Sequence, residues 1–148
     1  MSEILSKLRS WCEVQPSKAA WNFLDDKGEP IQSFTYRELD VVSQELAKYL
    51  LGKGGLKKGD RAMLVFFRGL EFMISLLACF KAGIVAVPVF PPDPRKLSKD
   101  LHHFVSIQQS SQASVALTHA AYGFAKKVAG IRNVLSTSGS KWPELKWV

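Results

Sequence analysis

The sequence predicts an α/β fold, a parallel sheet with helices on both faces in three layers, preceded by an N-terminal helix and a small β-hairpin. Two observations predict it. From Asp60 onward the hydrophobic period switches repeatedly, in the order strand, helix, strand, helix, strand, helix. The strand segments are near-continuous apolar runs, as in a sheet covered on both faces, and the segments between them are long enough to cross over to parallel neighbours.

Each element has its own signal. In 3–14 the spacing of Ile4, Leu5, Leu8, Trp11 and Cys12 draws one apolar stripe on a helix, which Pro16 stops. Two extended runs, 19–24 and 31–34, flank Asp25-Asp26-Lys27-Gly28-Glu29-Pro30, whose turn-forming residues predict a hairpin. Thr35 is suited to cap the next helix, with Glu38 completing a capping box and Phe34 and Leu39 a hydrophobic staple. Leu39, Val42, Leu46, Tyr49 and Leu50 then keep helical spacing, and Gly52, Gly54 and Gly55 are expected to supply the left-handed conformations that end it. Beyond them, 62–67 reads as a strand, 70–82 as a helix, 84–90 as a β-branched strand, 97–109 as an amphipathic helix and 115–118 as a strand. A last helix over 121–128 is expected to place Ala121, Phe124, Ala125 and Val128 on one face, and 145–148 looks like a further strand beginning.

A chain of 148 residues, 47% hydrophobic and 22% charged, without repeats or low-complexity tracts, has the size and profile of one globular domain. Its net charge of +7 raises the question of nucleic acid or a membrane. The basic residues are scattered: Lys53, Lys57, Lys58 and Arg61 surround a glycine turn, Arg95, Lys96 and Lys99 open a helix, and Lys126, Lys127 and Arg132 close another. No aromatic-interleaved basic motif occurs, which argues against nucleic acid as a partner. The apolar stretch 70–80 contains Glu71, is followed by Lys81, and falls short of the roughly 20 residues a membrane span needs, so no span is expected. Residues 1–11 alternate charged and apolar and do not form a secretory signal. Cys12 and Cys79 both fall in apolar helical patterns, where a thiol behaves as a small hydrophobe; a reducing, cytoplasmic setting fits.

Several segments resemble chemical sites without meeting their requirements. Gly52-Lys53-Gly54-Gly55 with Gly59 looks phosphate-friendly, yet it follows a helix and precedes a strand, the reverse of a phosphate-cradling loop. His102 and His103 are adjacent on a helix, so their side chains should diverge and not share one metal. His119 has no second ligand at metal spacing and is expected at a strand end or helix start. Ser136-Thr137-Ser138-Gly139-Ser140 lacks a second glycine and a following lysine, and reads as a connecting loop. With no nucleophile-elbow pattern either, no catalytic, cofactor-binding or metal-binding residue is assigned.

The most informative segment is Leu77-Ala78-Cys79-Phe80-Lys81-Ala82-Gly83-Ile84-Val85-Ala86-Val87-Pro88-Val89-Phe90-Pro91-Pro92-Asp93-Pro94-Arg95. Read physically, Gly83 caps a helix, a buried strand follows, Pro88 must sit near a strand end or edge, and the later prolines impose a stiff exit. This segment resembles the second core motif of the adenylate-forming superfamily, and its Phe-Pro-Pro-Asp-Pro-Arg continuation resembles the fatty acyl-AMP ligase branch. Phe34-Thr35-Tyr36-Arg37-Glu38-Leu39 is similar to the superfamily's first core motif, and Gly59-Asp60-Arg61 to its usual companion. Trp142-Pro143-Glu144-Leu145-Lys146-Trp147 resembles the stretch preceding the next strand.

The resemblance covers essentially the whole chain. It implies that residues 1–148 are the N-terminal part of an adenylation domain, an incomplete subdomain truncated before the Ser/Thr/Gly-rich phosphate loop, the nucleotide-binding motifs and the catalytic lysine. It further implies a complete enzyme that uses ATP and Mg to convert a fatty acid to acyl-adenylate and passes the acyl group to an acyl carrier protein. The present residues would supply core and a wall of the acyl pocket, with the remainder of the adenylation domain as partner. By themselves they are expected to bind no cofactor and to be inactive. Two alternatives stand beside this: an acyl-CoA ligase using free coenzyme A, and a non-catalytic α/β interaction module whose motif matches are coincidental.

Overall fold

A computed structural model describes residues 3–93, 97–134 and 142–148. They form two compact units, Met1–Asp60 with Arg68–Val85, and Arg61–Phe67 with Ala86–Val148.

The first unit begins with α1 (Glu3–Val14), followed by an antiparallel pair, β1 (Ala19–Leu24) and β2 (Pro30–Thr35). The turn between the strands is built by Asp25, whose carboxylate accepts the Lys27 and Glu29 amides at 2.8 and 2.9 Å, while Gly28 takes the positive φ of 87° that a side chain would disfavour. α2 (Tyr36–Leu51) starts with the predicted capping box: Thr35 Oγ1 accepts the Glu38 amide at 3.2 Å, and Glu38 Oε2 accepts the Thr35 amide at 2.9 Å. α3 (Glu71–Ala82) packs against α2 and ends at Gly83, left-handed at φ 69°. Leu8, Leu39, Ile74 and Leu77 form the core of this unit, with Phe34 and Leu46 packed on it, so the predicted staple residues both reach the core. Lys81 is nearly buried and donates to the Asp40 carbonyl and carboxylate at 2.7 and 2.6 Å, tying α3 to α2.

Two expectations for α2 need correction. Gly52 ends the helix at φ −88°, not in the left-handed region, which is first reached at Gly55. Gly54 is required for a different reason, since a Cβ there would lie 2.6 Å from the Leu50 carbonyl oxygen. The buried stripe is also rotated: Leu39, Ser43, Ala47 and Leu50 are buried, while Val42 and Tyr49 are exposed. Ser43 is accommodated because its hydroxyl donates back to the Leu39 carbonyl at 2.6 Å.

The second unit carries a sheet of order β4-β3-β5-β6 formed by β3 (Arg61–Leu64), β4 (Val85–Pro88), β5 (Val115–Leu117) and β6 (Lys146–Trp147). β5 runs parallel to both β3 and β6. Hydrogen bonds from Val85 to Asp60 and from Val89 to Leu64 advance together along β4 and β3, the parallel pattern again. α4 (Leu97–Ser111) and α5 (Ala120–Val134) send Leu101, Phe104 and Tyr122 into one core with Met63, Val65 and Ala116. The chain is thus α/β with a parallel sheet, preceded by a helix and a small hairpin. On α5 the predicted face is wrong: Tyr122 is fully buried while Phe124 is 70% exposed. An alanine-rich helix has little hydrophobic contrast, and the core takes the aromatic ring whose hydroxyl finds a partner. The segment 136–140 lies outside the described residues.

Candidate functional site

In open parallel sheets ligands settle beyond the carboxyl ends of the strands, at the point where successive connections leave in opposite directions. Here β4 lies on one side of β3 and β5 on the other, so that point falls between the ends of β3 and β5. Phe66 and Phe67 leave β3 there, and Thr118 and His119 leave β5. Pairing of the two strands continues past their ends: the Val65 amide donates to the Leu117 carbonyl at 2.9 Å, and the Thr118 hydroxyl donates to the Val65 carbonyl at 2.6 Å.

His119 stands at the start of α5, as the sequence predicts, and caps it: Nδ1 accepts the Tyr122 amide at 3.0 Å. That bond requires a bare Nδ1, so in this arrangement the imidazole carries its proton on Nε2. The ring lies 5.5 Å from Phe67 and 6.0 Å from Phe66, centroid to centroid, and Phe67 meets Tyr122 edge-on at 5.0 Å. The Tyr122 hydroxyl donates at 2.8 Å to the carbonyl of Pro92, a buried residue in the segment that leaves β4. Burial, followed by the Asp93 and Asp100 carboxylates, pushes this phenol far above the ordinary tyrosine range, so it acts as a neutral donor. Sequence reasoning missed Tyr122; the available signal was a large amphipathic ring one turn into a helix that opens at a strand's carboxyl end.

Lys126, also on α5, rests its ammonium 3.9 Å from the Trp147 ring centroid and 5.6 Å from that of Trp142. Burial, then the charge of Lys127, lowers its pKa, while the indole faces favour the cation. What this edge offers chemically is aromatic surface, an imidazole N–H and a stiff proline-rich exit.

The glycine segment does not fit a triphosphate. Its Gly52, Gly54, Gly55, Leu56 and Gly59 amides donate to backbone carbonyls, and the Lys57 amide donates to the Asp60 carboxylate. Among the described residues no group of three or more His, Cys, Asp or Glu side chains could hold a metal ion. The His102 and His103 rings do not diverge as expected but lie against each other, centroids 3.7 Å apart, because side-chain torsions bring neighbouring exposed rings together. Cys12 donates to the Tyr36 carbonyl at 3.0 Å, and burial raises the pKa of both Cys12 and Cys79.

The family described as AMP-binding enzyme matches residues 8–144. The medium-chain-fatty-acid–[acyl-carrier-protein] ligase JamA of Moorena producens (strain JHB) is 31% identical over 147 residues, covering 99% of this chain and 24% of the relative. A crystal structure of the fatty acyl-adenylate ligase from L. pneumophila, in complex with acyl adenylate and pyrophosphate, superposes with a TM-score of 0.71 at 26% identity, covering 98% of this chain and 22% of that one. The mitochondrial acyl-coenzyme A synthetase ACSM5 of Rattus norvegicus is 34% identical over 86 residues, covering 58% of this chain and 14% of the relative. The chain therefore spans about a quarter or less of the length of these proteins.

Proposed function

Because the chain belongs to the AMP-binding enzyme family, we propose that it forms the N-terminal framework of a fatty acyl-AMP ligase, which activates a fatty acid with ATP and delivers the acyl group to an acyl carrier protein. The observation that carries this reading is the similarity to a fatty-acid–[acyl-carrier-protein] ligase along 99% of the chain. The family match sets aside the reading in which the motif matches are coincidental. In this proposal the described residues shape one wall of the acyl site, and the groups that grip ATP and Mg belong to the part of the relatives' length that this chain does not span. The occupied amides of the glycine segment support that division. A cytoplasmic setting agrees with the two free thiols.

The partial match to an acyl-coenzyme A synthetase favours a second reading, in which free coenzyme A accepts the acyl group. The natural full-length protein should catalyse fatty-acid-dependent pyrophosphate exchange and transfer the acyl group to a carrier protein in preference to coenzyme A. Preference for coenzyme A would establish the second reading, and absence of exchange would remove both. Residues 1–148 alone should show no exchange.

A further inference from the structure

The proline run that follows β4 cannot hold itself in place. Pro91 and Pro92 have no amide hydrogen, so they donate no hydrogen bond of their own and the segment 91–93 is a strap held by donors and acceptors elsewhere. Among the described residues, the Tyr122 hydroxyl donates to the Pro92 carbonyl at 2.8 Å, and the Asp93 amide donates to an Asp100 carboxylate oxygen at 3.3 Å. The first is the shorter and is buried, since Tyr122 and Pro92 are both among the fully buried side chains.

Tyr122 is itself immobilised. His119 Nδ1 holds its amide, the Phe67 ring meets it edge-on at 5.0 Å, and the Trp147 ring stacks on it at 6.2 Å. One phenol thus links the exits of β3, β4 and β5. Directly before the strap, Phe90 stands 84% exposed at the carboxyl end of β4, on the edge where a ligand of such a sheet settles.

We propose that Tyr122 is a positioning residue for the acyl substrate: its hydroxyl, by holding the Pro92 carbonyl, sets the strap that presents Phe90 to the fatty acyl chain. The substrate half of this inference rests on the ligase reading above. Without the hydroxyl the Pro92 carbonyl is buried and unsatisfied, and the strap shifts to reach water, taking Phe90 with it. The aromatic ring of a phenylalanine would still fill the core.

The test is Tyr122→Phe in the natural full-length protein, read by amide hydrogen exchange and by steady-state kinetics. Exchange at the Asp93 amide should accelerate, and the fatty acid KM should rise about fivefold, the loss of one ordinary hydrogen bond, with kcat and the KM for ATP within about twofold. Asp100→Ala, which removes the second tie, should move both readouts the same way. Phe90→Ala should raise the fatty acid KM and leave Asp93 exchange unchanged. Unchanged Asp93 exchange in Tyr122→Phe would overturn the strap, and an equal loss toward both substrates would reduce Tyr122 to a structural residue. If the wild-type protein showed no fatty-acid-dependent activity, the ligase reading and the substrate half would fall together, while the exchange comparison would still decide the strap.

Discussion

Cys79 lies on α3 with none of its surface exposed, and burial lifts its thiol from the ordinary value of 9.0 to about 11. Because the folded-state value is raised, the neutral thiol favours folding below pH 9.0, and this contribution is lost as the pH climbs toward 11 and the unfolded chain ionises first. Urea denaturation at successive pH values should show wild-type stability falling more steeply over that window than Cys79→Ala stability. Parallel curves would show that the thiol's ionisation is not coupled to folding. That Cys79 would act as a small hydrophobe was legible, because Leu76, Ala78, Phe80 and Ala82 around it on the helix are apolar. Tyr122 was not legible, since its value depends on a carbonyl 30 residues away in the chain, at Pro92, and no local pattern encodes that partner.

At the scale of elements, the start of α2 is the clearest case of local sequence deciding structure. Thr35 and Glu38 exchange hydrogen bonds, and the Thr35 amide, followed by its hydroxyl, holds the Glu38 carboxyl below its ordinary value. Thr35→Ala should therefore cost about 1 kcal/mol, read from the urea midpoint near neutral pH. A depressed carboxyl stabilises above its unfolded value and ceases to do so as pH falls through its folded value, so the gap between wild type and Glu38→Ala, which removes the carboxyl that both the Thr35 amide and hydroxyl bond, should narrow below pH 4.5. A gap that stayed constant in acid would remove Glu38 from the cap. Boundaries with such chemistry were readable: α1, the hairpin turn, this cap and Gly83 all fall where turn and cap residues place them. Helix faces were less readable. On α2 the choice between Val42 and Ser43 was settled by packing, which prefers a small residue with an internally satisfied hydroxyl to a larger one that helical spacing alone makes equally suitable. The parallel order of the sheet was legible from its apolar runs, whereas the edge that gathers Phe67, His119 and Tyr122 follows only from the order β4-β3-β5-β6, which the sequence pattern does not specify.

At the scale of the whole molecule, each unit leaves large apolar side chains in water. In the first, Val14 is 78% exposed and Ile31 62%; in the second, Phe90 is 84% and Phe124 70%. Scattered apolar residues are ordinary on a soluble surface, but Val14, Ile31 and Phe124, exposed to this extent in a chain that spans about a quarter of its relatives, 24% of the Moorena producens ligase for example, fit surfaces that a longer polypeptide covers. Residues 1–148 produced alone should self-associate weakly, with a weight-average sedimentation coefficient that rises with concentration, and should bind a hydrophobic dye. Ile31→Ser combined with Phe124→Ser should reduce both effects while leaving the far-ultraviolet circular dichroism unchanged, because both side chains are mostly exposed. If the wild-type chain sedimented as a compact monomer at high concentration, these exposed side chains would have to be counted as ordinary surface. The reading of this chain as a framework covered by further sequence would then rest on the family match alone.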